Sequence, residues 1–75
     1  MADFTELTAL LWREGDGYVS LCPELDIASQ GDSVEEAKAN LIEALEGFFL
    51  TASKQEIRDS LHPEVWVTRI KVPVG

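Results

Sequence analysis

A chain of 75 residues holds one domain and no second one, since a folded unit ordinarily takes about 100–200 residues. Its composition, 45% hydrophobic, 27% charged and 8% aromatic, excludes intrinsic disorder, and the lone cysteine, Cys22, excludes a disulfide framework within the chain. Fourteen acids against six bases give −8 at pH 7, a balance that repels phosphate and so argues against direct nucleic-acid binding.

The charge is also uneven. Residues 1–50 hold eleven acids and two bases, a net −9, whereas residues 51–75 hold three acids and four bases, a net +1. An acidic face of this kind suits a basic protein partner; its plainest alternative role is to keep a small protein soluble. The longest nearly apolar run, residues 7–12, is far below the ~20 residues of a membrane span, so no membrane is expected. The opening residues carry no basic stretch of the secretory kind, and with the free thiol this points to the cytoplasm. A domain this short buries only about 60% of the surface its unfolded chain exposes. With neither disulfide nor evident metal site as reinforcement, self-association into a homodimer or homotetramer is expected.

Residues 4–13 read as a first strand with apolar groups on both faces, Phe4, Leu10 and Trp12 on one and Leu7, Ala9 and Leu11 on the other. Glu14-Gly15-Asp16-Gly17 reads as a hairpin turn, with Asp-Gly as its signal. Residues 18–22 return as a second strand, which Pro23 ends because it has no amide to donate. Residues 25–30 make a short third strand, and Gly31-Asp32 turns out of it. Ser33-Val34-Glu35-Glu36 is a capping box: the Ser33 hydroxyl should accept from the third helical amide while Glu36 reaches back to the Ser33 amide.

The helix that follows should run to about residue 50, with Val34, Ala37, Leu41, Ala44, Leu45 and Phe48 on one stripe and Glu35, Glu36, Glu43 and Glu46 opposite. Ile42 and Phe49 lie on a flank beside Lys38 and require a second cover, either the next helix or another subunit; they are the candidates for self-association. A second capping box, Ser53 to Glu56, starts a short helix carrying Ile57 and Leu61, which ends before Pro63. Residues 65–72, β-branched with aromatic support, predict a last strand. The order is βββα(α)β, an α+β layer of one sheet with helices packed on one face.

Few residues suggest chemistry. Gly15-Asp16-Gly17 leads into a strand rather than a helix, so it is not a phosphate loop. Residues 26–31 lack the carboxylates of a calcium loop. His62 is the only histidine, nothing lies at metal-ligand spacing, and Cys22 is expected as a buried thiol at a strand end. Glu24, Asp26 and Asp32 would bind Mg²⁺ if they converged, although acids between short strands are more often solvated. Trp12 and Trp66 fit either the core or an interface. No catalytic residue, metal or cofactor is expected.

The segment Gly17 to Ala37, which joins Gly17-Tyr18-Val19-Ser20-Leu21-Cys22-Pro23-Glu24-Leu25 to Ser29-Gln30-Gly31-Asp32-Ser33-Val34-Glu35-Glu36-Ala37, closely resembles the HicB antitoxin family. Asn40-Leu41 and Glu43-Ala44 continue the likeness, which spans roughly residues 4–50. The resemblance implies a partial ribonuclease-H-like βββαβ sheet and a single HicB-like domain over residues 1–75. It also implies a partner: a small basic HicA-type toxin that cleaves mRNA and whose active site the antitoxin covers. Many relatives add a C-terminal DNA-binding domain. This sequence reaches Gly75 with nothing basic or helical after residues 65–72, so operator binding is not expected of it.

Three readings follow. The first is an antitoxin-like binding protein, not an enzyme, with Tyr18, Glu24, Asp26 and Asp32 as contacts, chosen for charge and position alone. The second is a stand-alone structural or adaptor homo-oligomer using Ile42 and Phe49. The third is a weak metal-dependent nuclease of the same fold, which would need several carboxylates gathered on Mg²⁺.

Overall fold

The structure, a computed structural model, describes residues 5–75. Three antiparallel strands, β1 (Leu10–Glu14), β2 (Gly17–Cys22) and β3 (Ile27–Gly31), form a sheet in the order β1-β2-β3. Two helices follow, α1 (Val34–Thr51) and α2 (Lys54–Ser60), giving an α+β fold with helices packed against the sheet.

The first strand is shorter than expected. Its ladder begins at Leu10, opposite Leu21; Phe4 lies outside the described residues. Residues 5–9 run on without ladder pairing, though Leu7 packs on the core. The hairpin forms as expected but on a different dipeptide. Glu14 pairs with Gly17, which leaves Gly15 and Asp16 as a two-residue loop. Gly15 takes φ +62° while Asp16 keeps negative φ, the pattern of a type II′ turn that needs glycine first.

Along β2 the side chains alternate. Ser20 and Cys22 are buried under α1, whereas Val19 and Leu21 lie on the reverse face with Leu10 and the 43%-exposed Trp12. Ser33 caps α1 by accepting from the Glu36 amide at 3.0 Å. The Glu36 carboxylate accepts from the Asp32 amide at 3.2 Å, one residue earlier than the capping box predicts. Two contacts then pin the helix to the sheet. The Ser20 hydroxyl, fully buried, donates to the Ala37 carbonyl at 2.8 Å. Gly31 lies so close beneath the first turn that a Cβ there would stand 2.6 Å from the Ala37 nitrogen.

The expected stripe faces the sheet at Ala37 and Leu41, which are buried, with Ala44, Leu45 and Phe48 half-buried. Val34, at the first helical position, stays 41% exposed. Cys22, Leu25 and Leu41 form the buried centre, ringed by Leu7, Ile27, Leu45, Phe48, Phe49 and Leu61. The second capping box forms completely around Ser53 and Glu56. Among the described residues no helix is long and apolar enough to cross a membrane.

The last strand of the expected βββα(α)β order does not form. Residues 63–75 join no strand, and Trp66, Ile70 and Val72 are 82%, 79% and 62% exposed. The β-propensity of residues 65–72 is real, but a strand exists only where an edge receives it, and neither edge of this sheet does. The radius of gyration, 14.5 Å, exceeds the ~11 Å of a compact chain of this length because the arm stands away from the body.

Candidate protein-binding site

The helix wheel divides the surface. At about 100° per residue, Ala37, Leu41 and Phe48 point to the sheet. Glu36 and Asn40 fall on one flank, and Lys38, Ile42, Leu45 and Phe49 on the other, roughly half a turn away. The Asn40 side-chain amide donates to the Gln30 carbonyl at 2.7 Å, which places the first flank over β3. The second flank faces Leu7 and Ala9, on the side of β1.

On the β3 flank lies an open hollow of about 790 Å³, where the β1–β2 turn and the exit of β3 meet the start of α1. Glu14, Tyr18, Asp32 and Glu36 line it, and no lysine or arginine does. Register explains the grouping: Tyr18 stands opposite Gly31, Glu14 opposite Gly17, and the helix cap holds Glu36 beside Asp32. Tyr18, half-buried, offers an aromatic ring beside Asp32 and Glu36, whereas the Glu14 carboxylate, on the other face of the sheet, accepts from the Trp12 indole at 3.2 Å. Chemically, carboxylates beside an aromatic ring can hold guanidinium or ammonium groups through charge-assisted hydrogen bonds and cation–π contact.

The four contacts expected from the sequence therefore separate. Tyr18 and Asp32 come together in the hollow. Asp26 is exposed in the β2–β3 turn, with φ +54°, and five residues of β3 put it ~20 Å from Asp32. Glu24 is buried and its carboxylate is turned inward. One oxygen accepts from the Thr8 amide at 2.9 Å and the Thr8 hydroxyl at 2.7 Å, and the other from the Cys22 thiol at 3.5 Å. Its backbone carbonyl accepts from the His62 amide at 2.6 Å. Glu24 thus ties residues 5–9, the end of β2 and the root of the arm together. Burial pushes its carboxyl up, but the bonds from Thr8 and Cys22 outweigh that and hold it below the usual carboxylate range.

The same cluster accounts for Cys22. Burial and the neighbouring Glu24 push its thiol up, beyond what the Leu25 backbone contact offsets, which makes it a poor nucleophile. The proposed Mg²⁺ set does not converge: Glu24 is occupied, and Asp26 and Asp32 are at opposite ends of β3. No group of three potential metal ligands gathers among the described residues.

The sequence has a relative among known proteins. The chain is 37% identical over 70 residues to the UPF0150 protein ssl0738 of Synechocystis sp., covering 91% of this chain and 96% of that protein. The chain belongs to the UPF0150 family. The 9% left unmatched is too short to reach β1 from one end or α2 from the other, so the likeness spans every element of this UPF0150 fold. No family model matches the chain, and no solved structure does.

For this UPF0150 domain, sequence reasoning missed Glu36 as the partner of Asp32. The signal was present: the helix cap brings Glu36 to Asp32. The Thr8–Glu24 contact had none, because it joins an irregular segment to a turn sixteen residues away. Ile42, 48% exposed, and Phe49, half-buried, sit where the wheel put them, on an apolar groove of about 910 Å³ with Leu7, Leu41, Leu45 and Leu50.

Proposed function

We propose that this UPF0150 chain is an antitoxin-like binding protein that neutralises a small basic HicA-type, mRNA-cleaving toxin by covering its active site. It works by association and breaks no bonds itself, and it acts in the cytoplasm. The observation that carries the reading is the hollow, in which Tyr18 lies with Asp32 and Glu36 and which no lysine or arginine lines. The resemblance of Gly17 to Ala37 to the HicB antitoxins supports the choice of partner, and the net charge of −8 supports its sign.

Tyr18 is the anchor in this reading, since a half-buried aromatic at the centre of a patch contributes more than a rim charge. Each rim carboxylate is worth about 0–1 kcal/mol and is screened by salt. The test is calorimetric titration with the short basic protein encoded beside this chain's gene. A complex should form at low salt; Tyr18→Ala should weaken it by about tenfold or more and Asp32→Asn by a few-fold, with Asp26→Asn near neutral. Absence of any complex at low salt would sink the reading.

The groove favours a second reading, a stand-alone structural or adaptor homo-oligomer with Ile42 and Phe49 at its contact. Light scattering on Phe49→Asp tests it, and an assembly left intact excludes Phe49 as the contact.

A further inference from the structure

The arm and the groove are unsatisfied in complementary ways. From Trp66 onward every residue of the arm is exposed. Its even positions, Trp66, Thr68, Ile70 and Val72, make the more apolar face, while Val65, Val67, Arg69 and Lys71 fall on the other, and toward its end the arm alternates as a strand with one covered side does. An exposed apolar run of this kind marks an interaction surface. The groove lies beside β1, which has a strand partner on one edge only. Residues 5–9, which form its wall, pair with no strand, and α1 lies chiefly over β2 and β3, leaving the β1 side least covered.

We propose that residues 65–72 of one copy add as a fourth strand at the β1 edge of a second copy, with Trp66, Ile70 and Val72 seated in the groove over Leu41, Ile42 and Leu45. The dimensions agree. An eight-residue strand spans ~26 Å, enough to run along the groove, whose α1 side from Lys38 to Leu50 covers ~18 Å. The charges agree as well. Arg69 and Lys71, on the face turned away from the groove, bring cations to a body that carries −9 over residues 1–50, and the groove itself holds one base, Lys38, and one acid, Glu46. The second copy is the occupant because the arm stands off its own body. The bond from the His62 amide to the Glu24 carbonyl fixes the arm's root at the β2–β3 turn, and from residue 66 on the arm is exposed. Reciprocal exchange of an identical segment needs no new surface. It covers two arms and two grooves at once.

Sedimentation of the full chain at tens of micromolar, with far-UV circular dichroism as the folding control, tests this. The wild type should weigh twice its 8.3 kDa, and Ile70→Asp on the arm and Ile42→Asp on the groove should each give folded monomers. In a Trp12→Phe background, which leaves Trp66 as the reporter, dilution should shift emission to the red as the arm leaves the groove; this readout holds even if an Asp variant misfolds. A wild type that is monomeric overturns the proposal, with blue emission then showing the arm folded on its own body. A dimer that persists in either Asp variant overturns it too. The basic partner is absent from these measurements, so their failure leaves the binding reading standing.

Discussion

Removing the Glu24 carboxylate separates a structural role from a binding one. Its three side-chain hydrogen bonds come from the Thr8 amide, the Thr8 hydroxyl and the Cys22 thiol. A hydrogen bond to a charged group contributes about 1.5–3 kcal/mol. Thr8 is half-buried, so water replaces part of what is lost, and Glu24→Gln should destabilise the domain by ~2 kcal/mol. That is a large fraction of the ~4–11 kcal/mol available to a chain of this length, and corresponds to a fall in Tm of about 8–16 °C. Urea unfolding of wild type, Thr8→Val, Glu24→Gln and the double variant forms a cycle whose coupling should reach ~1–2 kcal/mol. The pH dependence has a definite sign. The folded carboxyl sits below its unfolded value of about 4.3, so its contribution is complete above that pH and is lost as pH falls through the folded value. The gap between wild type and Glu24→Gln should therefore close in acid. A Glu24→Gln variant as stable as wild type at pH 7, with coupling under ~0.5 kcal/mol, would refute the account and return Glu24 to the list of partner contacts.

Gly31→Ala should destabilise by about 1–3 kcal/mol, because the new methyl meets backbone of α1 at 2.6 Å and not a side chain that can swing away; a melt unchanged from wild type would show that the helix shifts freely. Cys22 should react with a thiol reagent only as fast as the domain opens, since it is fully buried and its thiol is held protonated; labelling at the rate of a free thiol under native conditions would contradict this.

Local signals were legible wherever a few neighbouring residues set the geometry. Pro23 ends β2, Ser33 and Ser53 cap their helices, and the flank carrying Ile42 and Phe49 follows from helix periodicity alone. The turn between β1 and β2 was legible as a turn but not in detail, because Gly15 and Gly17 both offer positive φ and only the ladder register decides between them. The candidate contacts divided for a related reason. Glu24 and Asp32 look alike as charges between short strands, and nothing in their spacing says that Thr8 will claim one of them. Residues 65–72 illustrate the opposite limit. Their strand pattern is correct as a propensity, but its fulfilment depends on an edge, and the sequence of one copy does not say whose.

The two proposed surfaces lie on opposite flanks of α1. The hollow uses Glu36 and the residues paired beside it, while the groove uses Lys38, Ile42, Leu45 and Phe49 about half a turn round the helix. A copy that receives an arm on the β1 side thus keeps its acidic hollow open on the β3 side. The arm also holds Arg69 and Lys71 on the far flank, so exchange leaves the hollow's field acidic. Two hollows in one dimer then face two cationic surfaces, and if a partner presents both, the second contact forms at an effective concentration set by the dimer rather than by dilution. Arm exchange would in that case tighten binding without adding a residue to the hollow. Ile70→Asp should therefore weaken capture of a bivalent basic partner by more than it weakens capture of a monovalent one, a difference that parallel titrations read directly.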